Sequence, residues 1–244
     1  MMNRFFPIMT DEPEKGMHFA VLAYWIFGLV LFPLWLPMLG AGLWEDLPVI
    51  SWFEIGYHVL NAIIVISILK TYLADSFLNV QVDTKKFVRT VVFSAVVMLA
   101  LALEMYFWLG TWIVNVYPIN EMSVAMTSGF LVENRPLFGT ICNSLIAPFA
   151  VVGLFYVTGF APVCRRHSWL GYVVVSVVLA LPFLFDIFWR EEPAFNIFVY
   201  LLQLPMHLIA CHTYQKADTV WAPIATLALF NLGTSVLAII CTHA

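Results

Sequence analysis

The sequence predicts an all-α fold: a polytopic membrane helical bundle of about seven transmembrane helices, with a cytoplasmic N-terminus. Three observations predict it. Of 244 residues, 62% are apolar and only 11% charged, and mean hydropathy is +0.91. Soluble domains run about 45–50% apolar and about 25% charged, so this chain cannot cover a water-facing surface in the usual way. Apolar runs of about 20 residues, the length needed to cross a bilayer, recur along it. Finally, the basic residues collect in alternate connections between those runs.

The runs lie near 18–40, 49–69, 87–109, 138–161, 168–189, 194–213 and 219–241. A helix satisfies its own backbone groups in lipid, which makes it the expected form of each run. Strands of a membrane barrel alternate apolar and polar residues, whereas 91–103 and 173–184 are interrupted only by Ser94, Ser176 and Pro182. The polar start, residues 1–16 with Asp11, Glu12 and Glu14, lacks the basic-then-apolar form of a secretory signal. The chain thus reads as one integral membrane domain, 1–244, with 1–16 as a cytoplasmic tail. Alternating spans put Arg4, Lys15, Lys70, Lys85, Lys86, Arg89, Arg165, Arg166 and Lys216 on one side, and Arg135 and Arg190 on the other. Cytoplasmic loops carry the excess of Lys and Arg, so the richer side is the cytoplasm of a multi-pass cell-membrane protein.

Two connections are longer than a turn. Segment 71–86 sets Leu73, Phe77, Leu78 and Val80 among polar residues, and reads as a short amphipathic piece lying along the inner interface. Segment 110–135, with Asn115, Asn120, Glu121, Glu133 and Asn134, reads as an outer connector or a ligand-gathering lid. With no internal repeat, an inverted-repeat transporter gains no support.

Composition excludes other classes. A net charge of −4 with no basic run leaves nucleic acid without an electrostatic footprint. Cys142, Cys164, Cys211 and Cys241 form no CxxC pair, which removes zinc ribbons and redox motifs and points to buried free thiols.

Ionisable groups inside spans are costly and therefore mark candidate sites. The second run carries Glu54, His58 and Asn61, spaced to share one helix face. Glu104 and Asp186 lie near the outer ends of their runs, within about two turns of the surface that Glu54 also approaches. Three carboxylates and His58 at one level suit a divalent metal such as zinc or manganese, or a general acid/base pair. Equally, they suit a structural polar seam that snorkels to water. Gln203, His207 and Asn231 add polar groups to the last two runs. His207 and His212 stand on different helix faces, and His212 sits at the inner edge, where solvation is expected.

The C-terminal stretch 145–235 carries a more specific pattern. Ala147-Pro148-Phe149-Ala150-Val151-Val152-Gly153-Leu154-Phe155 precedes the basic turn Arg165-Arg166-His167-Ser168-Trp169; farther on come Thr219-Val220-Trp221-Ala222-Pro223-Ile224 and Ala228-Leu229-Phe230-Asn231-Leu232. This order resembles the CAAX protease and bacteriocin-processing family, also called the Abi family of intramembrane proteases. There an Ala-Pro step leads into a paired-glutamate EExxxR motif, a basic turn and a span with a histidine. A Trp-Ala-Pro-Ile turn then opens a span with a second histidine and an asparagine. The resemblance implies an intramembrane endopeptidase core, yet its glutamates fall on Val151 and Val152, its arginine on Tyr156, and its histidines on Asp186 and Leu227. Only the asparagine remains, as Asn231. Valine neither takes a proton nor binds a metal, so the resemblance implies a member degenerate at the catalytic positions.

Three functions follow. The first is a scaffold, immunity factor or binder of hydrophobic or lipidated peptide, lacking peptidase chemistry. The second is an active endopeptidase with a displaced site at Glu54, His58, Glu104, Asp186 and Asn231. The third is a small cation or proton transporter, although its polar groups gather at one side, where relays spread through the bilayer. A metal-dependent displaced site predicts stoichiometric zinc or manganese in the detergent-purified protein, lost in the double change Glu54→Gln and His58→Ala, by elemental analysis.

Overall fold

The computed structural model describes residue 23 and residues 47–113, 136–189 and 193–243. The first apolar run, residue 23 apart, and most of segment 110–135 lie outside the described residues. Among these the protein is built from helices and short turns, with no strand. The helices are α1, Leu47–Val82; α2, Thr84–Ile113; α3, Pro136–Cys164; α4, Ser168–Trp189; α5, Pro193–Ala217; and α6, Trp221–His243.

Three stretches are long and apolar enough to cross a membrane: His58–Val82 in α1, Thr84–Met105 in α2, and all of α3. Shorter apolar stretches, Ser168–Ala180 and Trp221–Leu237, lie in α4 and α6. The outward faces agree with lipid contact. Val88, Val92, Phe93 and Val96 form an exposed stripe on α2, and Leu229, Leu232, Val236 and Ile240 form one on α6. Such continuous apolar surface is unusual on a monomer in water.

Segment 71–86 is not a separate interfacial piece. α1 continues as one 36-residue helix to Val82, about 54 Å long at the α-helical rise against a hydrocarbon core of about 30 Å. The reason is packing: Leu73, Ser76 and Val80 extend the buried stripe of Val65 and Leu69 at helical spacing. Asp83 alone separates α1 from α2. Its Oδ1 accepts the N–H of Lys86 at 3.0 Å, capping α2 as an N-terminal aspartate does.

The C-terminal end of α1 is clasped to the α5–α6 turn. Ser76 Oγ accepts the Val220 N–H at 3.0 Å, and Thr219 Oγ1 donates to the Ser76 carbonyl at 2.9 Å. Trp221 Nε1 donates to the Leu73 carbonyl at 2.8 Å, and Asn79 Nδ2 donates to the Asp218 carbonyl at 3.0 Å. Asp218 turns the chain at φ 54°, in the left-handed region where Asp is among the more tolerated residues.

α3 is the most enclosed of the three spanning stretches, 59% buried against 33% for the others. It packs on α1, α4 and α6, while α5 packs on α2, α4 and α6. Two wide π-helical stretches run through α3, Cys142–Ile146 and Val152–Phe160. Each ends at an Ala-Pro step, Ala147-Pro148 and Ala161-Pro162. Proline has no N–H and its ring crowds the carbonyl four residues back, so the turn before each proline opens. The Ala147 N–H reaches Cys142 O, and the Ala161 N–H reaches Tyr156 O, both five-residue bonds.

Where α3 meets α1, Gly153 leaves no room for a side chain: a Cβ there would collide with Val65 Cγ1 and stand 3.1 Å from Leu69 Cδ1. Gly56 has open space around it. Gly153→Ala is therefore expected to destabilise by about 1–3 kcal/mol through overpacking, and Gly56→Ala to be neutral or stabilise by up to about 1 kcal/mol. Thermal unfolding of the two variants in detergent checks the contrast.

Candidate functional site

The C-terminal half of α5 sends its buried face, Met206, Ala210, Cys211 and Tyr214, into the common core. Polar groups sit within and beside that face: Thr213 Oγ1 donates to the Ile209 carbonyl of α5 itself at 2.8 Å, and His207, His212, Tyr214 and Gln215 have partners on other helices. Tyr156 of α3, fully buried, places its hydroxyl 2.7 Å from His207 Nδ1. The Phe155 and Tyr156 rings meet the imidazole edge-on, with centroids at 6.3 and 5.9 Å. Tyr172 of α4 donates to Gln215 Oε1 at 2.7 Å and stands 3.3 Å from His212 Nδ1. The hydroxyls of Tyr72 on α1 and Tyr214 on α5 are hydrogen-bonded to one another. Phe160 packs between Tyr172 and Tyr214, with centroids at 5.1 and 6.2 Å. His212 is thus half-buried and bonded inside the bundle, not solvated at its edge, because Tyr172 reaches it from α4.

A second polar contact joins α3 to α6. Asn231 Nδ2 donates to the Asn143 carbonyl at 2.8 Å; opening of the first π stretch leaves that carbonyl available. Around it, the hydroxyls of Thr140, Ser144 and Ser235 are buried without a hydrogen-bond partner among the described residues. Thr140 and Ser144 lie within one turn of Asn143, and Ser235 lies one turn beyond Asn231.

The expected site residues come from several helices. His58 is half-buried on α1, Glu104 is exposed on α2, and Asn231 binds the α3 backbone. Glu54 and Asp186 belong to α1 and α4, but their side chains lie outside the described residues. Gln203 is exposed on α5, and Asn61 is buried on α1. Among the described residues, no three of His, Cys, Asp or Glu gather to hold a metal ion. Cys142, Cys164 and Cys211 are buried, and among the described residues none forms a disulfide.

Of the positions singled out by the resemblance, several are buried among apolar side chains. Val152, Tyr156 and Leu227 all belong to the buried core cluster, and Val151 packs against it. Sequence reasoning missed Tyr72, Tyr156, Tyr172, Tyr214 and Gln215. Tyr156 alone lies inside one of the apolar runs; Tyr72, Tyr172 and Tyr214 stand at or just beyond run ends, where tyrosine is the ordinary interfacial residue, so their sequence positions gave no signal. The network's hydroxyls, amide and imidazoles bind helices to one another, and no carboxylate takes part in the bonds described.

Comparison with protein-family models, curated proteins and solved structures finds no match to this chain.

Tyr156→Phe removes the partner of His207 and is expected to cost about 1–2 kcal/mol, the usual effect of orphaning a buried polar group. Ser235→Ala removes a hydroxyl that already lacks a partner, so it is expected to leave stability unchanged or raise it. Denaturation curves of both variants in one detergent decide the matter, and equal losses would contradict this account of the network.

Proposed function

We propose that the protein is a multi-pass cell-membrane protein of CAAX protease-like descent that has lost peptidase chemistry and holds a hydrophobic or lipidated peptide without cleaving it. One observation carries the reading: the matching positions Val152, Tyr156 and Leu227 belong to one buried hydrophobic core. Peptide hydrolysis needs an activated water and a group to move its proton. Two valines and a leucine supply neither. Tyr156 occupies the position of the motif arginine and is committed to His207, a bond that closes the space instead of opening it.

The seven-span arrangement with an inner N-terminus belongs to the same proposal. It is supported by the turns at Asp83, at 165–167 and at 218–220. Bonds from Asn79 to Asp218 and from Tyr172 to Gln215 hold them at one end of the bundle. That end carries Lys85, Lys86, Arg89, Arg165, Arg166 and Lys216, the charge expected of a cytoplasmic face.

The test is reconstitution into vesicles with a farnesylated peptide that bears a photoreactive group and a fluorescent reporter. The expected outcome is covalent capture of the intact peptide on illumination and no cleavage, in the native protein and in Asp186→Ala alike. Cleavage that disappears in Asp186→Ala or Glu54→Gln would overturn the reading in favour of a displaced hydrolytic site. Neither capture nor cleavage would remove the peptide from the proposal.

A further inference from the structure

We infer that a basic recess beside the α1–α2 turn binds the phosphate of an anionic phospholipid headgroup, whose chain lies along the apolar stripe of α2. The recess has a volume of about 540 Å³. Lys85, Lys86 and Arg89 from the first turns of α2 and Lys216 from the last turn of α5 line it, with Asp83 and Phe93. Four cations and one carboxylate leave a local excess of three positive charges, in a chain whose net charge is −4. This concentration runs against the composition of the whole molecule.

The carboxylate does not cancel the field. Asp83 Oδ1 is engaged by the Lys86 N–H as the cap of α2, and the start of a 30-residue helix adds its own positive potential. The cations come from two helices far apart in sequence, brought together because α2 packs against α5. Phe93 at the recess is 65% exposed and opens onto Val92 and Val96 of the outer face. A soluble phosphate ligand would use the cations and ignore that face, whereas a phospholipid uses both. Depth fits as well, because the membrane-crossing stretch of α2 begins at Thr84, which brings the recess to the level of the headgroups. Basic pockets between membrane helices bind anionic headgroups by this combination of charge and position.

Native mass spectrometry of the detergent-purified full chain, with phosphatidylglycerol or phosphatidylcholine of identical chains, tests it. The expected result is retention of phosphatidylglycerol with at least about tenfold preference, given roughly a tenfold effect from one to two headgroup-facing cations. Lys85→Gln/Lys86→Gln/Arg89→Gln is expected to abolish that preference. Lys85→Arg/Lys86→Arg, which keeps the charge, and Arg166→Gln, at the α3–α4 turn, are expected to keep it. All the substituted side chains are exposed except at their bases, and matched unfolding curves confirm that the variants fold. Equal retention of the two lipids, or an undiminished preference in the triple variant, would overturn the inference. Outright displacement of the lipid by millimolar inorganic phosphate would also overturn it, by making the ligand a soluble anion.

Discussion

Water is absent from a bilayer interior, so backbone polar groups there must find partners within the protein and an unpaired side-chain polar group is costly, and this one constraint organises the bundle. It acts first on the backbone of α3, where Pro148 and Pro162 each leave a carbonyl without its usual donor. The five-residue bonds from Ala147 and Ala161 and the reach of Asn231 to the Asn143 carbonyl are responses to that loss. It acts next on side chains. Tyrosines from α1, α3 and α4 each direct a hydroxyl to a group on α5, which turns that helix into the hub of the polar contacts. Because lipid tails are as apolar as leucine, burial alone gives little reason for helices to associate, and close packing with interhelical hydrogen bonds takes over. The Gly153 contact and the tyrosine pairs are the two forms of that glue here.

The clasp between α1 and the α5–α6 turn extends the same logic to the bundle end. Its bonds run between residues more than 130 positions apart, so the first hairpin and the last are tied directly without passing through α3. The tie also explains why the basic turns assemble at one end: Asp83 and Asp218 are held near each other, and the cations flanking them follow.

Much of the fold was legible in the sequence. The run at 168–189 coincides with α4, and 138–161 and 219–241 differ from α3 and α6 by a few residues, because uninterrupted apolar sequence leaves little ambiguity. The end of α1 was misread for a physical reason: Lys70, Asp75 and Asn79 lower the average hydropathy, while the buried stripe through Leu69, Leu73, Ser76 and Val80 persists beneath it. A helix that is polar on one side and clasped on the other looks like a loop when both sides are averaged. The candidate site was less legible. Carboxylates stand out in an apolar run and drew attention to Glu54, Glu104 and Asp186. The tyrosine pairs did not, because tyrosine passes as apolar and the partner of Tyr72 lies 142 residues away. His212 looked solvated because its sequence neighbours are polar, whereas its true neighbour is Tyr172 of another helix.

The two π stretches of α3 bear on how this gene can change over time. A turn closed by a five-residue bond holds one residue more than an ordinary α-helical turn. Loss of a single codon within 142–146 would let the turn tighten to α-helical form while the downstream residues kept their facing. Within the α-helical part 147–151 the same deletion would rotate everything beyond it by about 100°, and carry Val152, Tyr156 and Phe160 off the core. The loosened turns are thus the places where the most enclosed of the three long apolar stretches can absorb the loss of one residue at least cost.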